Sequence, residues 1–595
     1  ERSTDPRTIR LEGMVALSAG QLRLTVQERG GQPLGDQLIS ANDSGPVEDW
    51  RRLADTVEAK LVYAIWNRAE HDPYFPVNAI PSDAGRRAQL AKAEQFFSLG
   101  QWENAQDAYR AIPGTCLLCI FRSHDIARWF GLPQDTLGLA LLQRADSSFP
   151  PQYRPLIHSF TTPAPARFDT LESASRNWNW FFLAPFEFAD ELFHRGPLYG
   201  RLRAEAIDPF RQTLLARPRF WPGLEHLTWL LISEGDSAGA KQTLDSLQAQ
   251  PAASGLAVAL ANLRLLGFHW RFLPPDAARQ FSAALLKQPE ILHYRDAAAG
   301  ARLLMSMDAP RGAFELGGMF ARWREREDAA LPGLLAQLYG AAALGWLDSL
   351  TVIRKRFARL PQAPAYELLA LELEAVLRAF DPNPAVRDAG ETRQELERAA
   401  RRLTADAGLH ARATWMLGVL AARRGDTTTL STARRDLRGQ PSQPWLGRIL
   451  DAALAGLTEP SGALALLRDA PPLDREVDYA DPLEDAVVHL LRAAFQEQLE
   501  SRPEALRTLR WHEHSQIGGH LTGEPQAGEL AWAVGTLARW KRGELLTAMG
   551  VNDNAEWCSL NRGIARLWAA GDSVFRARAA TAKHAADSAP CGTAP

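Results

Sequence analysis

The sequence predicts a mainly α-helical protein in which pairs of helices stack into a curved α-solenoid, preceded by a small, partial α/β domain. Three observations predict this fold class. Apolar residues alternate near the start of the chain but recur at helical spacing from about residue 85 onward. Proline and glycine interrupt the helical stretches at short intervals, as expected for helix hairpins with tight loops. In the first half of the chain, small and large apolar residues and a proline recur at similar offsets.

Residues 1–75 form the predicted α/β domain. It contains two predicted strands, TIRLEGMVAL and LRLTVQERG, and a third strand after the link GQPLGDQ. The amphipathic helix that follows is predicted to turn one apolar face inward, comprising Trp50, Leu53, Val57, Leu61 and Ile65. Two or three strands and one helix cannot form a stable domain alone. We therefore expect half of a small domain or a unit that leans on its neighbour, with a strand edge available for assembly with another chain.

Residues 85–295 carry the repeat signal. Ala206 is followed by Phe210 at +4, Thr213 at +7 and Pro218 at +12. Similar series begin at Ala105, Ala240 and Ala277. The small residue allows close helix approach, the apolar residue fills the groove, and the proline ends the helix. This spacing is the second-helix signature of the tetratricopeptide repeat, and Gly100 and Gly235 are predicted to end first helices in the left-handed conformation.

Residues 296–580 keep the rhythm of helix, turn and helix but lose the consensus, as degenerate repeats do. Residues 581–595 form a polar tail that has little reason to be ordered unless it is tied down.

Composition excludes several function classes. The net charge of −3 argues against a nucleic-acid partner or an anionic membrane surface, which usually require a basic surplus. No apolar run is long enough to span a bilayer. Because the chain begins with Glu1, we expect it to be cleaved or part of a longer polypeptide, which leaves room for an upstream membrane anchor. No phosphate-binding or hydrolase motif is present, and no cofactor is predicted.

The four cysteines are disulfide candidates in two pairs. Cys116 and Cys119 form a C-x-x-C motif, for which buried thiols, a local disulfide, and redox or metal chemistry are the alternatives. Cys558 and Cys591 are either free thiols or a bridge that fastens the tail. A bridge would imply an oxidising compartment.

The stretch HRGPLYG, residues 194–200, places a histidine, an arginine and a tyrosine among glycines and a proline. We interpret it as a corner between two helices, in which Gly196 takes a positive φ, Pro197 stiffens the turn and His194 caps or pairs locally. A ligand-binding role on the solenoid rim and a catalytic role are the alternatives.

Aromatic residues are concentrated just before this corner, with six between residues 178 and 188. We expect most of them to be core residues between helices, but one helix cannot hide all six, so one or two are expected to line a groove that receives a partner. The candidate binding residues are Trp178, Trp180, Phe186 and Tyr199.

The stretch RWHEHSQIGGH offers a second candidate for chemistry. His512, His514 and His520 could present imidazoles to a transition metal, although a polar loop between helices is the simpler interpretation. We therefore predict no metal site here.

These features together resemble a known family. The segments IRLEGMVALSAGQLRLTVQERGGQPL, AKAEQFFSLGQWENAQDAYRAI and ELFHRGPLYG, with the terminal LARWKRGELL, are similar to the tetratricopeptide C-terminal region of bacterial serine/threonine protein kinases and related regulators. The resemblance implies a sensory or scaffolding region outside the cytoplasmic membrane, periplasmic or at the cell surface. It implies no catalysis, because the kinase motifs are absent from this sequence.

We therefore expect a non-enzymatic scaffold that binds a protein or peptide on its solenoid surface. Two alternatives are a ligand-sensing half of a membrane-anchored kinase, and an enzyme with its site in the degenerate middle repeats. A pocket at the domain junction, residues 65–85, would suit a small ligand.

Overall fold

The computed structural model describes residues 11–28, 40–66, 76–98, 101–129, 135–250, 255–287, 301–321, 327–360, 363–381, 390–438, 444–468, 482–514, 527–589 and 591. The described chain is mostly helical, with a three-stranded antiparallel sheet at its N-terminal end. The mainly helical part of the predicted fold class is therefore confirmed.

The sheet has the order β1 (Leu11–Ser18), β2 (Gln21–Glu28) and β3 (Ser40–Pro46). Leu17 pairs with Leu22 across the first hairpin, and Leu22 pairs with Gly45 across the second. Helix α1 (Trp50–Trp66) packs on β3 through Leu53 and Val57, both buried. Trp50 is 52% exposed and does not belong to that apolar face, because it is the first residue of the helix and lies beyond the sheet's cover.

Strand β1 lies at one edge of the sheet and is poorly covered. Met14, Val15 and Leu17 are 59%, 72% and 64% exposed, so side chains on both faces of this strand reach solvent. Among the described residues β1 ends the sheet, and its pairing with another chain stays a prediction.

The first run of helices follows, and each helix contacts the next one along the chain. These helices are α2 (Ala84–Ser98), α3 (Trp102–Arg110), α4 (Leu117–Trp129), α5 (Thr136–Arg144), α6 (Arg154–Ser159), α7 (Ala166–Asn177), α8 (Leu183–Arg195), α9 (Ile207–Ala216), α10 (Trp221–Glu234), α11 (Ser237–Gln248), α12 (Gly255–Phe272) and α13 (Pro275–Leu285).

The small residues of the repeat signal lie where the helices meet in three of the four cases. Ala105, Ala206 and Ala240 are each 0% exposed. The fourth case is one residue out of phase: Ala277 is exposed, whereas Ala278 is buried with Ser282 and Leu285. Sequence spacing alone does not distinguish these two adjacent faces of α13.

Gly235 ends α10 with φ +89, as predicted. The positive φ disfavours any residue with a Cβ at this position. Gly100 lies outside the described residues.

The second run of helices contains longer, more buried segments. They are α14 (Pro310–Phe320), α15 (Glu327–Ala343), α16 (Leu347–Phe357), α17 (Ala363–Ala379), α18 (Gly390–Arg402), α19 (Ala407–Arg424), α20 (Thr427–Arg438), α21 (Pro444–Ala455), α22 (Pro460–Leu466), α23 (Pro482–Gln498), α24 (Arg502–Thr508), α25 (Ala527–Ala548), α26 (Ala555–Leu567) and α27 (Ser573–Ser588).

Helices α14 and α15 approach with backbone against backbone. A Cβ on Gly333 would lie 2.7 Å from the Gly317 carbonyl oxygen, and one on Gly340 would lie 2.6 Å from the Pro310 carbonyl oxygen. Glycine at these positions therefore sets the distance between the two helices.

The C-terminal helices fold back onto the middle of the chain. Helix α25 packs on α15, and the Trp568 indole donates to the Ala343 carbonyl oxygen at 3.1 Å. Arg578 of α27 forms a two-armed ion pair with Asp381, which is fully buried. One apolar cluster consequently extends from Ala79 to Ala582. The predicted open arc of stacked repeats is not confirmed.

Asp308 joins three of these helices. This buried residue has φ +56 and precedes α14. Its carboxylate lies 2.6 Å from Arg539 of α25 and 3.6 Å from Arg271 of α12, and it also contacts Arg566 of α26. A single aspartate thus neutralises guanidinium groups that are far apart in sequence.

Both cysteine pairs are bonded. Cys116 precedes α4 and is joined to Cys119 in its first turn, while Cys558 of α26 is joined to Cys591. Helix α27 extends to Ser588, so the first eight residues of the predicted tail are helical. The second disulfide fastens the chain beyond that helix to α26.

None of the described helices combines the length and apolar character needed to cross a membrane.

Candidate functional site

Phe186 is in the core. It lies in α8, all of whose residues are buried, and is itself 0% exposed. Its ring packs edge-on against Phe220 at 4.9 Å between ring centroids and also contacts Phe210. Phe186 is therefore a core residue in this structure, and its role in binding a partner stays a prediction.

The other three aromatic candidates are partly exposed. Trp178 and Trp180 follow the end of α7. Tyr199 packs edge-on against Phe168, with 5.4 Å between ring centroids. These residues lie near the surface without lining a described cavity, so their binding role stays a prediction.

The HRGPLYG stretch is a helix corner, but its glycines act differently from the prediction. Gly196 has φ −47 and continues into a 3₁₀ turn, whereas Gly200 ends that turn with φ +77. The Gly200 carbonyl oxygen accepts a hydrogen bond from Arg510 at 2.8 Å. The corner thus connects the first half of the chain with a segment 310 residues later.

His194 is not part of the turn. It lies in the last turn of α8 and meets Asp190, one turn earlier, and His226 of α10. These three residues form a group whose ligand atoms all lie within 4.8 Å of one another. The sequence DELFH places Asp190 and His194 at i and i+4. No feature of the sequence links His226, 32 residues after His194, to this pair.

In the described part of the second histidine stretch, His512 and His514 are buried. His512 donates through Nδ1 to the Leu509 carbonyl oxygen at 2.9 Å, and His514 donates through Nδ1 to the Trp511 carbonyl oxygen at 2.6 Å. His520 lies outside the described residues. Within the described chain, His512 and His514 do not belong to a three-residue ligand group.

Burial lowers the pKa of His512 to about 3. An unfolded histidine binds a proton near pH 6.5, whereas folded His512 does not, so stability should fall as pH drops below that value. We expect His512 alone to lower the free energy of unfolding by about 2 kcal/mol between pH 7 and pH 5. Urea unfolding should show that the free energy of unfolding falls between pH 7 and pH 5 by about 2 kcal/mol less in His512→Gln than in the wild type. The exposed His158→Gln variant retains His512 and should follow the wild type; equal losses in all three proteins would contradict this assignment.

A cleft between α16, α17 and α18 is a candidate binding site. It has a volume of about 350 Å³. Leu368, Leu371 and Leu403 contribute an apolar floor and are largely buried. The charged groups that line the walls are Arg354, Lys355, Glu367, Glu395, Arg398 and Arg402.

The walls of this cleft carry a surplus of positive charge, with four cations and two carboxylates. Glu395 is shared by Arg398 at 2.7 Å and Arg354 at 3.5 Å, while Glu367 pairs with Arg402 at 2.9 Å. Lys355 is exposed and, within the described part of the chain, pairs with no carboxylate. The cleft is therefore cationic in a chain whose net charge is negative.

Neither a protein-family model nor a curated protein matches this chain. The fold and the cleft define a class only: a mainly helical protein built from packed helix hairpins.

Proposed function

We propose that this protein is a non-enzymatic recognition module that binds a protein or peptide segment in the cleft between α16, α17 and α18. The cationic cleft with its apolar floor carries this proposal. A segment that combines carboxylate and apolar side chains would complement both features, because its carboxylates could reach Lys355 and Arg398 while its apolar groups cover Leu371.

We also propose that the module is an extracytoplasmic sensor or scaffold of a regulatory system, as the resemblance implies. Two disulfides that pair all four cysteines support an oxidising compartment. Cell fractionation checks this location: a reduced, cytoplasmic protein would contradict it.

A labelled eight-residue peptide of alternating glutamate and leucine tests the cleft by fluorescence polarisation. We expect Lys355→Glu combined with Arg398→Glu to weaken its binding about tenfold or more, since two attractive charges become repulsive. Binding should also weaken with added salt, because the charged groups are exposed.

Arg435→Glu is the matched control, since Arg435 is an exposed arginine on α20, away from the cleft. It should leave the affinity close to that of the wild type. Peptides with lysine for glutamate, or serine for leucine, should bind less well. Absence of binding, or equal binding by the double variant, would reject the cleft as a peptide site.

A further inference from the structure

Three potential metal ligands converge between two buried helices. Asp190 and His194 lie one turn apart on α8 and so share a face, and His226 approaches from α10. The Nε2 atoms of the two histidines are 3.2 Å apart. Asp190 Oδ1 lies 3.5 Å from His194 Nε2 and 3.6 Å from His226 Nε2. The three atoms form a nearly equilateral triangle.

The size of this triangle matches a metal coordination sphere. Ligands bound tetrahedrally at about 2.0–2.1 Å from zinc lie about 3.3–3.4 Å from one another. A hydrogen bond between the two imidazoles would account for the 3.2 Å edge. A central cation would also hold the same carboxylate oxygen close to both nitrogens, as the distances of 3.5 and 3.6 Å show.

The hydrogen bonds of His226 direct a lone pair into this triangle. Its Nδ1 atom lies 2.7 Å from Glu225 Oε2 and 3.0 Å from the Pro222 carbonyl oxygen, and both of these atoms accept hydrogen bonds. Nδ1 therefore carries the proton in the neutral ring, and Nε2 is left with its lone pair toward Asp190 and His194. A carboxylate that holds the far nitrogen of a ligating histidine is the usual outer support of zinc sites.

The neighbouring cations are matched by other carboxylates. Arg264 pairs with Glu225, and Arg128 pairs with Glu187. Arg195 lies 3.0 Å from Glu191. Glu191 also lies 3.4 Å from Arg167, so each of these carboxylates contacts at least one guanidinium group.

We propose that Asp190, His194 and His226 bind one divalent transition-metal ion, with zinc as the best-suited ion. Two imidazoles and one carboxylate suit zinc, whereas calcium and magnesium prefer ligand sets made of oxygen. The His226 side chain is 17% exposed, which gives an ion a route to an otherwise buried site. The ion would link α8 to α10 and fix the packing around the helix corner.

The test is zinc binding by the full chain after treatment with a chelator, measured by equilibrium dialysis and elemental analysis. We expect one zinc ion per chain. Asp190→Asn and His194→Gln each remove a ligand and should weaken binding about a hundredfold or more, while Glu225→Gln removes only the outer support and should weaken it about ten- to a hundredfold.

His158→Gln is the matched control, because His158 is 56% exposed and pairs with Asp146 away from this cluster. It should keep the wild-type affinity. Circular dichroism shows whether each variant is folded. Unchanged zinc content in folded His194→Gln would overturn the proposal, as would a folded wild type that binds no zinc at micromolar concentration.

X-ray absorption of the zinc-loaded wild type gives a readout that needs no variant. Two imidazoles and oxygen in a four-coordinate sphere are expected. Sulfur ligands, or a six-coordinate sphere made of oxygen, would place the ion elsewhere and overturn the assignment.

Discussion

Replacing Asp308 by asparagine is expected to lower the free energy of unfolding by about 3–5 kcal/mol. The substitution keeps the shape of the side chain and suits the positive φ at this position, since asparagine is also tolerated there. It removes the charge that Arg271, Arg539 and Arg566 share. Breaking a buried ion pair from one side leaves the other charge without compensation, which is the costly case. Urea unfolding followed by circular dichroism measures the loss.

Asp587→Asn is the control for Asp308→Asn. Asp587 pairs with Lys583 at 3.1 Å, but both side chains are more than half exposed. Its replacement should change stability by less than about 0.5 kcal/mol. Similar losses in the two variants would show that burial of the Asp308 network contributes nothing.

The effect of Asp308→Asn should depend on pH. Burial acts to raise the pKa of Asp308, but the charges of Arg539, Arg566 and Arg271 outweigh it and hold the pKa well below its usual value. A carboxyl with a depressed folded pKa contributes stability above its unfolded pKa of about 3.9 and loses it as pH falls. The difference in free energy of unfolding between the wild type and Asp308→Asn should therefore become smaller below pH 4.

Replacing Gly333 by alanine is expected to lower the free energy of unfolding by about 3 kcal/mol. The added methyl group would lie 2.7 Å from the Gly317 carbonyl oxygen and 2.9 Å from the Ala321 backbone nitrogen. Backbone atoms cannot rotate away as a side chain can, so α14 and α15 must separate. This separation outweighs the gain of about 1 kcal/mol that alanine gives within a helix. Thermal and urea unfolding measure the net effect.

The same substitution at Gly563 is expected to have the opposite effect and to raise the free energy of unfolding. Gly563 is inside α26, and a Cβ there would have no neighbour within 4 Å. Only the helix preference remains, so this variant should be more stable than the wild type by about 0.5–1 kcal/mol. A gain in Gly333→Ala would contradict the close contact between α14 and α15, and a loss in Gly563→Ala would contradict the open surroundings of Gly563.

Local features of the fold could be predicted from sequence because they depend on neighbours along the chain. The spacing around Ala206 identified a buried helix contact, and Gly235 ends its helix in the expected conformation. Predictions that depend on distant partners were weaker. The glycine with positive φ at the corner is Gly200, not Gly196, and its carbonyl meets an arginine 310 residues away.

In the candidate sites, too, the sequence predicts the local arrangement but not the contacts with distant residues. DELFH places Asp190 and His194 on one helix face, but only the packing of α8 on α10 brings His226 to them. The arginines of ETRQELERAARR resemble a solvated helix surface in sequence. Their role as a cleft wall depends on α16 and α17, whose positions the sequence does not specify.

Because the C-terminal helices pack on the middle of the chain, they change the order in which parts of this protein can unfold. In a linear array each unit contacts only its neighbours, and the terminal units fray first. Here Asp572, near the end of the chain, donates through its backbone to Gly345 and accepts through its side chain from the Leu347 amide. Unfolding of α27 would thus expose residues in the middle of the chain, whereas unfolding of a terminal unit in a linear array exposes only the next unit. Hydrogen-exchange protection should be shared between these segments, which makes them one cooperative unit.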